Sequence, residues 1–202
     1  FLAAYMSTIA SQTVWGTLDA SMISSLNSQD VVIMSRLSYS GHYNDPDGWN
    51  GLLVPLIQQS PYLIRNSRWQ WINSTNLMTM GGSPAYEAQD PSHAIFDGIT
   101  LDASDQVQAL APDSGIGHTV FMMESEIGPE GQILATRADS GTVAIAFWPA
   151  GANFDEVTLQ NASGPKMFFT AGTREGTVYD TTSTSPLNID TLTAGQGEYN
   201  LT

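Results

Sequence analysis

The apolar residues of this chain come mainly in short runs fenced by Gly, Pro, Asp and Ser. That pattern points to short buried strands, and no run approaches the eighteen or more apolar residues of a membrane span. Val31-Val32-Ile33-Met34, following Asp30, has the continuous β-branched character of a strand covered on both faces. Before it, Leu2 to Ile9 and Ala20 to Leu26 read as helical pieces, and Asp19 is placed to cap the second. Gly41 to Gly48 reads as a polar loop. Trp49 to Gln59 then reads as a helix broken at Pro55, leading into a second buried stretch from Leu56 to Ile64. Further strands are expected around Val107–Leu110, Thr119–Met123, Gln132–Arg137, Thr142–Trp148 and Lys166–Thr170, with a hairpin turn at Ala138-Asp139-Ser140-Gly141. Thr181 to Ser185 reads as an exposed Thr/Ser loop. Helices with buried strands early and hairpins later predict an α/β domain with a mostly parallel sheet and antiparallel strands added in the second half. Asp30–Met34 and Leu56–Ile64 should be adjacent interior strands.

Charge and composition narrow the partners. Twenty acidic residues against six basic give a net charge of −14, and Lys166 is the sole lysine. Such a chain lacks the clustered cations that nucleic acid or an anionic membrane surface requires. It attracts cations and suits a saline or extracellular setting. With no cysteine there are no disulfides, thiolate metal sites or thiol nucleophiles. Phe1 to Ala10 is apolar but is interrupted by Ser7 and Thr8 and has no basic segment before it, so it reads as part of a helix rather than a signal peptide. Asn73-Ser74-Thr75, Asn161-Ala162-Ser163 and Asn200-Leu201-Thr202 are sequons, which makes Asn73, Asn161 and Asn200 glycosylation candidates in a secreted chain.

Five stretches, in order, resemble a known superfold: Gln29 to Arg36, Trp49 to Arg65, Asp90 to Gly98, Val143 to Gly151 and Gly164 to Gly172. They resemble the class I glutamine amidotransferase-like superfold, especially its trehalose-utilisation (ThuA-like) branch and related secreted bacterial domains. Asp90-Pro-Ser-His-Ala-Ile-Phe-Asp-Gly98 looks like that branch's His-Pro-Ile-x-x-Gly segment, with Ala94 in place of proline. The resemblance implies a flavodoxin-like fold, a parallel sheet flanked by helices. It also implies a central strand before Phe1 and a closing helix after Thr202. Residues 1–202 would then be a single α/β domain excerpted from a longer chain, or one whose missing strand another chain supplies.

Amidotransfer in that superfold needs a cysteine, so this chain cannot perform it. Ser60 falls near the expected nucleophile elbow, but Gln58-Gln59-Ser60-Pro61-Tyr62 lacks the small residues such a turn needs. His42, His93 and His118 show no spacing that completes a triad with Ser60. Arg36, Arg65 and Arg174 each follow an expected strand. They are placed either to converge on an anion at the strand ends, with Ser35, His93 and Glu175, or to staple loops by pairing carboxylates such as Asp47, Glu87 or Glu175. Asp45 and Asp47, in Asn44-Asp45-Pro46-Asp47-Gly48, offer oxygen ligands for calcium in a turn, although the rest of an EF-hand loop is missing. Trp69-Gln70-Trp71 presents either a sugar-stacking platform or core rings. These features are those of a noncatalytic extracellular domain in a surface assembly or binding role within a larger secreted protein. The alternative is a carbohydrate-active enzyme, or an anion or sugar receptor, using the strand-end crevice.

Overall fold

The computed structural model describes residues 15–34, 38, 40–80, 84–108, 119–154 and 160–170. Nine strands and three short helices lie among them. The strands are β1 (Val32–Met34), β2 (Leu56–Gln58), β3 (Leu77–Met80), β4 (Tyr86–Ala88), β5 (Gln106–Val107), β6 (Thr119–Met122), β7 (Gln132–Arg137), β8 (Val143–Trp148) and β9 (Lys166–Phe169); the helices are α1 (Ala20–Asn27), α2 (Pro46–Asn50) and α3 (Pro61–Ile64). Seven strands form one sheet in the order β1-β2-β9-β8-β7-β4-β5, and β3 and β6 form a separate ribbon.

Pairing corrects the expected fold. β1, β2 and β9 run parallel, but β9-β8, β8-β7, β7-β4 and β4-β5 are all antiparallel. The domain is therefore mostly β, a mixed sheet dominated by antiparallel pairing. It is not a helix-flanked, mostly parallel flavodoxin-like sheet: four of its six strand pairings are antiparallel, and the helices among the described residues, of eight, five and four residues, are too few and too short to cover its faces. The reason for the difference is visible in β8. Its Val143-Ala-Ile-Ala-Phe-Trp148 run imitates a parallel strand because it too is covered on both faces. Val143, Ala146 and Trp148 belong to one core cluster, and Ala144 and Ile145 to a second.

Local expectations fared unevenly. β1 and β2 are parallel neighbours, with Val32 opposite Leu56 and Met34 opposite Gln58, but β1 is the outer strand of the described sheet rather than an interior one. β2 stops at Gln58 because Pro61 opens α3 in place of the expected strand continuation. The orphan carbonyls of this four-residue helix are taken up by the turn that follows: Trp69 N–H donates to Leu63 O, and Trp71 N–H to Ile64 O. The helix expected over Trp49 to Gln59 is not formed as such: α2 begins earlier, inside the polar loop, and ends at Asn50, and Leu56–Gln58 is strand. Asp45 is the N-cap of α2 and Pro46 its first residue. Asp19 does cap α1, its carboxylate accepting from Met22 N–H at 2.8 Å. The Ser21 hydroxyl and the Met22 amide together hold the Asp19 carboxyl below its usual range. The hairpin turn between Arg137 and Val143 is as expected, with Gly141 in the left-handed region at φ 69°.

The larger core lies on the side of the sheet that carries α1 and α2, and all five tryptophans meet there. Trp15 contacts Trp49, Trp49 stacks on Trp69 at 5.2 Å, Trp69 contacts Trp71, and Trp71 contacts both Trp148 and Phe154. The smaller core on the other face gathers Tyr86, Phe96, Phe121, Leu134 and Ile145 under the antiparallel half. No helix among the described residues is long and apolar enough to cross a membrane.

Candidate functional site

The three parallel strands end side by side. Met34, Gln58 and Phe168 form their last shared rung, and Gln59 N–H donates to Met34 O as the chain leaves β2. Gln58 is wholly buried, and its Oε1 accepts from Ser60 N–H at 2.7 Å. That bond fixes the carboxamide and leaves Nε2 over, with no partner. Ser60 is also buried and occupies the N-cap position of α3, but its hydroxyl makes no cap bond and has no partner. Ser60 is in ordinary extended conformation (φ −100°, ψ 115°), unlike the strained serine of a nucleophile elbow.

Two rungs earlier, Val32, Leu56, Lys166 and Trp148 align across four strands. The Lys166 ammonium is buried, pairs with no carboxylate among the described residues, and donates to Leu52 O at 2.7 Å and Gly164 O at 3.0 Å. Burial lowers its pKa to about 8. Gly164 is needed there because a Cβ would fall 2.1 Å from Leu53 O.

Of the sequence-derived ligand residues, Ser35, Arg36, Arg174 and Glu175 lie outside the described residues, as does Asn200. Arg65 follows α3, donates from Nε to Tyr62 O at 2.9 Å, lies over the Tyr62 ring and reaches Ser40 Oγ at 3.5 Å. His93 sits in the loop after β4, where its Nδ1 accepts from Ile95 N–H and caps a 3-10 turn, Ala94–Phe96. Three strands separate β2 from β4 in the sheet, so Arg65 and His93 belong to different halves of the domain. The ion pair found among the described residues joins Arg137 and Asp139 across the hairpin turn at 2.6 Å, with the Arg137 guanidinium over Phe121.

Asp45 and Asp47 have separate structural partners. Asp45 accepts from Leu18 N–H at 2.7 Å and Gly48 N–H at 3.2 Å, and Asp47 accepts from Gln160 Nε2 at 3.1 Å. No group of three His, Asp or Glu side chains suited to a metal occurs among the described residues. Trp69 and Trp71 are both fully buried, so they are core rings and form no sugar platform. Asn73 and Asn161 are exposed, as are Thr75 and Ser163 of their sequons. Sequence reasoning missed Gln58 and Lys166. A lone polar residue inside an apolar strand run was their one available signal.

The parallel third of the sheet has a second feature. Its face away from the tryptophans carries Ile33, Ile57, Met167 and Phe147 on a single rung. Ile33 is 44% exposed, and the other three are only partly buried. Parallel strands are ordinarily covered on both faces, and here an uncharged apolar stripe crosses four strands with incomplete cover.

The chain matches no family model, no curated protein and no solved structure in comparisons with each. Fold and site geometry alone therefore define its class: a mixed-sheet domain with a polar strand end and a half-covered apolar face.

Proposed function

We propose that the chain is a noncatalytic extracellular domain with a surface-assembly role in a larger secreted protein, docking through the Ile33–Ile57–Met167–Phe147 stripe. The half-covered face of the parallel strands carries this reading. A second copy is the partner that fits best. The stripe holds no charge, so pairing it with itself brings no carboxylates together at the centre despite a net charge of −14. A twofold contact between two such faces is self-complementary. Exposure of Asn73 and Asn161 supports an extracellular setting, since both side chains are open to modification. The engagement of His93, Arg65 and Asp45 as caps and struts supports a structural rather than catalytic use of these groups.

Hydrogen exchange at low and high protein concentration tests the docking face. Amides of β1 and β2 should become more protected as concentration rises. Unchanged protection there, with protection gained elsewhere, would place the contact on another surface.

A further inference from the structure

The turn that closes over the smaller core is held by an imidazole. After β4 the chain runs from Asp90 to Gly98, and the 3-10 turn Ala94–Phe96 seats Phe96 in the cluster under the antiparallel strands, with Ile95 packed beside it. Phe147 and Met167 of the docking stripe pack against the same cluster, so this turn borders the half-covered face. His93 is the N-cap of the turn, and its Nδ1 accepts from Ile95 N–H at 3.2 Å. The caps at Asp19 and Asp45 are carboxyl groups, which keep an accepting oxygen in either protonation state. A neutral imidazole has one bare nitrogen that can accept, and an imidazolium has none.

We infer that His93 is an acid-sensitive latch: protonation at Nδ1 releases the Ile95 amide and loosens the Ala94–Phe96 turn. Asp90 gives the protonated ring an ion partner. Its Oδ1 accepts from Ser92 Oγ at 2.6 Å and from Ser92 N–H at 3.0 Å. Those bonds, the hydroxyl's first, hold the Asp90 carboxyl below its usual range, and a positive charge on His93 lowers it further. Among the described residues no carboxylate lies within ion-pair distance of the imidazole, so the capping state forms without an ionic competitor in place. The elements that share the cluster direct their charges elsewhere. Glu87 alternates with the clustered Tyr86 and Ala88 on β4, and Arg137 of β7 is paired with Asp139. Lys166 of β9 donates to Leu52 O and Gly164 O on the tryptophan side. On the loop itself, Asp97 follows the turn, and Asp102 accepts from Ser104 N–H and Gln106 N–H.

The latch does not rest on the docking role, and its readouts are local to His93 and Ile95. Exchange of the Ile95 amide, divided by its intrinsic rate at each pH, is followed together with the imidazole nitrogens of the 15N-labelled chain. The range runs from about pH 7.5 to about 5.5, around the ordinary imidazole and above the ordinary carboxyl. At the upper end His93 should be the Nε2–H tautomer, with Nδ1 bare. Toward the lower end the opening of Ile95 should increase about fivefold, the effect of one lost hydrogen bond. The Met22 amide, capped by Asp19, should not respond. His93→Asn supplies an oxygen acceptor that does not titrate and should keep Ile95 protection flat across the range. His93→Ala has no acceptor and should show the open level at every pH. If either variant fails to fold, the tautomer and the response of the native chain decide. An Nδ1–H tautomer in the neutral chain, an Ile95 response that persists in His93→Asn, or no response in the native chain overturns the proposal.

Discussion

One carboxamide joins three parts of the tryptophan core. Asn50 donates from Nδ2 to Trp69 O at 2.8 Å and Gln160 Oε1 at 3.1 Å, and its Oδ1 accepts from Trp71 Nε1 at 2.7 Å. Asn50→Ala would strand the Trp71 indole N–H and the Trp69 carbonyl in a dry core. The expected cost is about 2–3 kcal/mol, read from denaturant midpoints with an unchanged slope. Lys166 gives a pH signature of known sign. Its folded pKa, lowered to about 8, lies below the unfolded value near 10.5, so the folded state disfavours the ammonium. Between those values the unfolded chain binds more protons, and stability rises with pH through that window. Below the folded pKa the penalty is fully present, on the order of 3 kcal/mol. Denaturant melts from pH 7.5 to 10 should show the rise, and Lys166→Met should flatten it; the same slope in both proteins would assign the effect to other groups.

Elements form here through caps and close approaches that a short window of sequence only partly reveals. Asp45 both caps α2 and ties it to Leu18, so Asp45→Ala should cost about 1–2 kcal/mol. Because Asp45 and Asp47 already accept from protein donors, millimolar calcium should leave the thermal midpoint of the native chain unchanged; a clear upward shift would restore a calcium site there. Gly164 is required by space alone, so Gly164→Ala should destabilise strongly by pushing the Leu52–Leu53 backbone away from Lys166. The strand runs Val32–Met34, Gln132–Arg137, Val143–Trp148 and Lys166–Phe169 were legible because apolar β-branched and aromatic residues cluster there between turn residues. Strand direction was not legible, since an interior antiparallel strand between two cores has the same pattern as a parallel one. In Asn44-Asp45-Pro46, the cap and the proline at the first helical position were a helix start hidden in turn-like composition.

At the scale of the whole molecule, partner choice across long sequence separations decides the architecture. β2 pairs with β9, Leu56 facing Lys166, and no local pattern encodes that choice. The buried state of Gln58 and Ser60 is likewise a tertiary property, which is why composition alone left one unremarked and weighed the other only as a nucleophile. The same topology turns Ile33, Ile57 and Met167 toward the thinly covered face, and this is the basis for docking. Sedimentation velocity across salt concentration tests that claim most directly, because salt screens the repulsion between acidic copies without weakening apolar contact. A reversible shift toward dimer is expected as salt rises, burying more than roughly 1,000 Å² and lost in Ile33→Glu with secondary structure intact. A monomer at all salt and protein concentrations, or a dimer indifferent to Ile33→Glu, would contradict it.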